Sequence, residues 1–344
     1  AGGAAPLLRL ADTELALAGA GGRTCAYFKG PHARITERER RWLETERHRL
    51  LPFDHPDFPP LLRTADKCPI ALYVAGDATV IADPQLAIIG SRNPTHQGRD
   101  DAFAFAHFLS LRGLTITSGM AEGIDSAAHR GALAADGPTI AVLGTGIDVI
   151  YPSGNRQLAA DIQSRGALLS EFPLGTPARR ANFPQRNRLI AALSLGTLVV
   201  EAARRSGSLL TARLAGAAGR AVFAVPGSIH SPLSRGSHEL IRQGAHLTEN
   251  PDDILKELNF SSIAPPRQEP AETQGPPSES KPLMDKGHKI LLDALGFEPA
   301  DLDALVVRTG FKPEAVSSMM LILEIEGHVR SAHGGRYTRV ARSP

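Results

Sequence analysis

Cysteine is nearly absent from this 344-residue chain: Cys25 and Cys68 stand far apart, in no CxxC or Cys/His pattern. That excludes a disulfide framework and a zinc site, and suits a reducing, cytoplasmic setting. No run approaches the roughly 20 apolar residues that a membrane helix needs, so membrane insertion is not expected. The Ala/Gly-rich start has no basic n-region and no Met, and reads as a processed or truncated terminus of a soluble protein. Charge of one sign is missing too. Lys and Arg number 38 against 36 Asp and Glu, so any basic surface must come from local clustering. Aromatics are only 5% of residues. The 42% hydrophobic content and the length fit a globular protein of two or three domains.

Several motifs are absent as well. There is no GxxxxGK[ST], and Ile89-Gly90-Ser91-Arg92 stands where a GxGxxG would begin, so the common nucleotide-binding signatures fail. Without GxSxG or HExxH, Ser118 and His129 lack a catalytic setting. His129 reads as a helix-flank residue. No catalytic residue, metal or cofactor is expected.

What is present is an alternation of short apolar runs with helical patterns. Candidate strands are 86–89, 114–117, 139–143, 167–170, 197–200, 221–225 and 245–248. Helices fill 96–112, 124–135, 155–165, 184–194, 208–218, 236–243 and 251–258. This is the pattern of an α/β fold: a doubly wound, extended Rossmann-like parallel sheet. Residues 1–47 read as a small helical N-terminal domain, with the mixed-charge run 36–49 as a solvated helix face. Residues 48–260 read as the Rossmann-like domain, with Pro-rich 48–85 as a lead-in docked on it. Residues 261–282, rich in Pro, Glu and Ser, read as a disordered linker. Residues 283–344 pattern as three helices and a Gly-Gly hairpin, a winged helix.

The strand-to-helix junctions carry Gly/Ser/Arg/Asn-rich loops: 90–93, 118–125, 144–148, 183–188 and 206–211. In an open parallel sheet these share one edge, where N–H groups and helix N-termini face an anion. Arg92, Arg186 and Arg188 supply planar donors for phosphate. Alternatively they staple loops by pairing with Asp125, Asp148 or Glu201. Ser118 reads as a loop hydroxyl bonding backbone or phosphate. Gly119, Gly123, Gly144 and Gly146 serve tight turns or close approach. Phe183, directly before the Arg/Asn cluster, is the preferred base-stacking candidate, with core packing the other option. Tyr151 and Phe172 also lie near this edge.

The ordered series Ser118–Asp125, Gly144–Asp148 with Tyr151-Pro152 and Asn155, Ser170–Pro173, Phe183–Arg188, Val200-Glu201-Ala202 with Ser206–Ala212, and Val225-Pro226-Gly227 resembles the DNA-processing protein A family (DprA, or Smf) over about 50–258. The resemblance implies a single-stranded DNA binding protein. It would protect DNA taken up in natural transformation, load the RecA recombinase, and act without cofactor as a homodimer through the Rossmann-like domain. It carries DNA contact onto Ser91 and Arg92 and onto Arg186 and Asn187. Together with Ser118, Gly119, Phe183 and Arg188 these form the candidate DNA site, with Gly123, Asp125, Gly144, Gly146 and Glu201 shaping the loops. One position departs from the family pattern: His238 stands where Asn is frequent.

Two other readings remain. Leu195–Glu201 keeps the Gly, Thr and Glu of the nucleoside-monophosphate phosphoribohydrolase motif but lacks its leading Pro-Gly-Gly. A winged-helix regulator with a ligand-sensing α/β domain is the other. The wing arginines 330, 336 and 339 are basic, whereas the third helix of that module is acidic.

Overall fold

The computed structural model describes residues 36–65, 67–260, 286–295, 299–332 and 334–340. Most of the expected N-terminal domain, Cys25 and the expected linker 261–282 lie outside these. The chain divides into two compact units, Ala1–Arg267 and Gln268–Pro344.

The first unit opens on α1 (Glu37–Leu43), started by a capping box between Thr36 and Glu39. It buries no residue, as its mixed charges predict, and Glu37 pairs with Arg40 and Arg41 along the exposed face. Next come β1 (His48–Pro52), a short α2 (Pro60–Arg63) and β2 (Ala71–Gly76). These two strands are a finding beyond the sequence reading, which took 48–85 as a lead-in. They pair antiparallel with each other, and β2 pairs antiparallel with the sheet. Pro52 is tolerated because it ends an edge strand, where its missing N–H breaks no ladder.

The α/β alternation then runs β3 (Gln85–Ile89), α3 (His96–Leu111), β4 (Thr115–Ser118), α4 (Ile124–Ala134), β5 (Thr139–Val142), α5 (Arg156–Arg165) and β6 (Ala167–Ser170). It continues through α6 (Asn182–Leu193), β7 (Gly196–Val199), α7 (Gly207–Ala217), β8 (Ala221–Ala224), α8 (Arg235–Arg242), β9 (His246–Leu247) and α9 (Pro251–Glu257). The sheet order is β1-β2-β6-β5-β4-β3-β7-β8-β9, parallel from β6 to β9. The expected doubly wound sheet is therefore present, widened by an antiparallel pair. Because β3 lies between β4 and β7, the winding reverses there, and the crevice at the carboxyl ends of β3 and β7 is the natural ligand site of such a sheet.

Strand residues alternate between the two faces. Ile140 and Val142 enter the core beneath α6 and α7, whereas Ala141 and Leu143 enter the core with Leu158 and Ile162 of α5. A third cluster packs Leu86, Ile88 and Leu198 against Phe105 and Leu109 of α3 and Ile124 of α4. Each fully buried Leu, Ile or Phe contributes about 1.5–3 kcal/mol. His129 of α4 is wholly buried rather than on a flank. Thr139 Oγ1 donates to the Ile116 carbonyl at 2.6 Å, so the imidazole Nδ1–H donates to Thr139 Oγ1 at 2.7 Å. Burial drives the His129 pKa down to about 3.

The second unit is a winged helix: α10 (Lys286–Leu295), β10 (Ala300–Asp301), α11 (Leu302–Thr309), α12 (Pro313–Ile325), β11 (Val329–Ala332) and β12 (Arg336–Arg339). Gly310, at φ 69°, closes α11 in the left-handed conformation that glycine adopts freely. Its own core joins Leu291, Leu295, Leu305, Met320 and Leu323. Among the described residues no helix is long and apolar enough to cross a membrane.

Candidate nucleic-acid interface

The loops after β3, β4, β5 and β7 converge with the start of α6 on an open cleft of about 630 Å³, at the point where the sheet reverses. Two contacts shape it. Gly123, at φ 81°, precedes α4, and a Cβ there would lie 2.4 Å from the Ser91 carbonyl oxygen and 2.7 Å from that of Arg92. Only glycine lets the β4 loop press against the β3 loop this way. The Ile124 N–H donates to the Ser91 carbonyl, and the Asn93 N–H donates to the Ser91 hydroxyl. Ser91 is thus spent on forming the turn, and Arg92 is exposed at the cleft.

The Arg92 guanidinium carbon lies 5.7 Å from the centre of the Phe183 ring. That ring, half-buried, rests on Gly144, where a Cβ would meet it at 2.8 Å. Exposed Tyr151 lies 5.6 Å from it, centre to centre. The result is an aromatic step with a cation at its lip, a combination that accepts a base and its phosphate. On the opposite wall, Ser206 caps α7 by accepting from the Ser208 N–H, and Ser208 Oγ donates to the Gly90 carbonyl at 2.7 Å. The N-terminus of α7 therefore borders the cleft together with Thr211.

Arg186 lies at the cleft floor but is only 4% exposed. Its Nη1 donates to the carbonyls of Gly119, at 2.6 Å, and of Val142, and its Nε donates to Asn187 Oδ1 at 3.1 Å. Gly119 leaves room for this, since a Cβ would strike the guanidinium at 2.7 Å. Burial and the Arg92 charge lower the Arg186 pKa to about 10, against the support of Asp125. Asp125 is buried beneath, accepting from the N–H groups of Gly119 and Ala121, and burial raises its pKa despite Arg186. Gly146 serves close approach, to the Pro173 carbonyl and the Asp148 carboxylate.

Two candidate DNA residues are placed elsewhere. Ser118 is fully buried, its hydroxyl donating to the Ile88 carbonyl at 2.6 Å. Arg188 points away from the cleft into an ion pair with Glu171, a staple whose partner is none of the three considered from sequence. Burial raises the Glu171 pKa and Arg188 opposes the rise. Glu201 binds the entry of α3, accepting from the Thr95 N–H at 2.9 Å and the Thr95 hydroxyl at 2.7 Å. Gly98 permits this, as a Cβ there would strike the Glu201 carboxylate. His238 holds the Gly227 carbonyl within 3.0 Å. The sequence reading did not single out Arg180, exposed on the cleft; its signal was the Arg179-Arg180 doublet just before Phe183. Among the described residues no group of three or more His, Cys, Asp or Glu could hold a metal ion.

Residues 49–259 match the model of a family described as DNA recombination-mediator protein A, and residues 264–335 match the DprA winged helix domain. The chain is 42% identical over 303 residues to Protein Smf of Escherichia coli (strain K12), covering 88% of this chain and 80% of that protein. It is 44% identical over 192 residues to DNA processing protein DprA of Streptococcus pneumoniae, covering 56% and 68%. The X-ray structure of DprA from Streptococcus pneumoniae superposes with a TM-score of 0.63 at 38% identity, covering 69% of this chain and 83% of that one. A structure of DNA processing protein A from Helicobacter pylori, described for its single-stranded DNA binding mode, gives 0.55 at 31% identity, covering 59% and 93%.

Proposed function

The chain belongs to the DNA recombination-mediator protein A family, and from that membership we propose that it binds single-stranded DNA in the cleft at the carboxyl edge of its sheet. The observation that carries the reading is the exposed Arg92 guanidinium set over the Phe183 ring, with Tyr151 beside it and the N-terminus of α7 opposite. A base stacks on the aromatic step, and Arg92 and Arg180 take the flanking phosphates. Asn187 contributes from the cleft wall. Arg186, Gly119 and Asp125 hold the floor rigid, so that little is lost in ordering the site when the strand arrives. The proposal extends to handing the bound strand to the RecA recombinase, to a homodimer through the Rossmann-like unit and to a cytoplasmic setting. It assigns no catalytic residue, metal or cofactor. The Glu201 carboxylate, which a phosphoribohydrolase would need, has both oxygens engaged by Thr95.

Titration of the chain with a fluorescent homothymidine strand tests this. Affinity is expected to fall with salt, log K losing about 0.7 per log unit of salt for each phosphate neutralised. Arg92→Ala should weaken binding by about fivefold or more at 0.1 M salt, with stability held within about 0.5 kcal/mol because the side chain is exposed. Binding that ignores salt, or an Arg92→Ala variant that binds as well as the parent, overturns the reading.

A further inference from the structure

A second groove, of about 450 Å³, opens between α3 and α4 on the helix-covered face, and Arg92 borders it as well as the cleft. Arg99 and Phe103 line it from α3 and Arg130 from α4. The helices approach so closely that a Cβ on Gly131 would lie 2.3 Å from the Phe103 carbonyl oxygen. The Phe103 side chain is left 39% exposed, its ring nearly parallel to that of His107, one turn on. Asp100 and Glu122 are the acids of the groove, against three arginines.

Some exposed arginines elsewhere on this unit are held in ion pairs, Arg38 with Asp148, Arg165 with Asp136 and Arg213 with Glu239. Arg99 and Arg130 enter no ion pair or hydrogen bond among the described residues, although carboxylates lie nearby. Two unpaired guanidinium groups beside a solvent-facing ring repeat the chemistry of the cleft on the far side of Arg92.

We propose that the groove between α3 and α4 is a continuation of the single-stranded DNA site, with Arg99 and Arg130 taking phosphates and Phe103 offering a second stacking face. The inference rests on the reading of the cleft given above. Arg92 then stands at the bend of the path, neutralising the phosphate between the two grooves. A strand confined to the cleft makes no use of Arg99 or Arg130, whereas a longer strand engages both.

The test compares the full chain with the Arg99→Ala/Arg130→Ala double variant on homothymidine strands of about 6 and about 20 nucleotides, the longer exceeding the roughly 16 that a single OB fold occupies. On the long strand the variant is expected to bind about 25-fold more weakly at 0.1 M salt, about fivefold per lost contact, with a salt slope shallower by about 1.4. The short strand should bind both proteins alike, and Phe103→Leu should weaken only the long one. Equal affinity of parent and double variant for the long strand overturns the proposal, as does equal weakening on both lengths, which would place the arginines in service of the cleft. A parent chain that binds neither strand would instead refute the reading of the cleft itself.

Discussion

Arg92 stands in the loop after β3 and Arg186 in the second turn of α6, and from sequence each is a phosphate donor. Burial separates them. Arg92 is exposed and carries no burden in the fold, whereas Arg186 spends its donors on two backbone carbonyls and a neighbouring amide and compensates the buried Asp125. Replacing Arg186 by Ala leaves those acceptors and the Asp125 carboxylate without their cation, and removing one member of a buried charged pair costs about 3–5 kcal/mol. Arg186→Ala should therefore lower the unfolding midpoint in urea markedly, and Arg92→Ala should not. Equal midpoints for the two variants would show that Arg186 is no structural residue. Sequence spacing placed Arg186, Asn187 and Phe183 at the cleft, but it could not count their hydrogen bonds. It also could not tell that Arg188, two positions on, turns to Glu171, because that pairing joins segments brought together only by the packing of α6 beside β6.

At the scale of elements, the α/β alternation was legible because parallel strands buried on both faces read as short apolar runs ended by turn residues. The pair β1 and β2 was not. Its strands are separated by the Pro-rich stretch that includes α2, and β2 finds its second partner in β6, about a hundred residues on, so no local pattern marks the register. The α4–β5 contact adds a consequence for stability. The His129 pKa lies at about 3 when folded, far below the roughly 6.5 of an exposed imidazole, so the unfolded chain binds one more proton between those values. This contribution is fully present above pH 6.5 and is lost as pH falls, at about 1.4 kcal/mol per pH unit. Asp101, whose pKa burial raises to about 6, opposes this trend, so the parent curve alone does not isolate His129. Comparison with His129→Gln does. The unfolding free energy of the variant should fall less steeply from pH 6 to pH 4, by about one proton's slope. Parallel curves would mean that the imidazole charges without loss in the folded chain.

At the scale of the whole molecule, each unit has its own hydrophobic core, and every residue of both grooves lies in the first. The second unit has the fold of a winged helix, and its third helix, α12, is poor in basic residues. The exposed positions of α12 include Ser317, Ser318, Leu321, Ile322 and Ile325, and its charged residues are Glu314 and Glu324. A helix that presents apolar side chains, with Lys312 at its N-cap set against Glu314 and Glu324, has little to offer a phosphate backbone. The basic residues of the wing are held within the fold in part, as Arg339 donates to the Leu292 carbonyl and lies 3.7 Å from Asp293. A fragment of residues 1–260 should accordingly fold and bind a homothymidine strand within about threefold of the full chain, with the same salt slope, since no phosphate contact is removed. Thermal melting establishes that the fragment folds, and parallel titrations of fragment and full chain read the affinity. A folded fragment that fails to bind would move the primary site to the second unit. A fragment whose slope is shallower by about 0.7 or more would assign at least one phosphate contact to the wing.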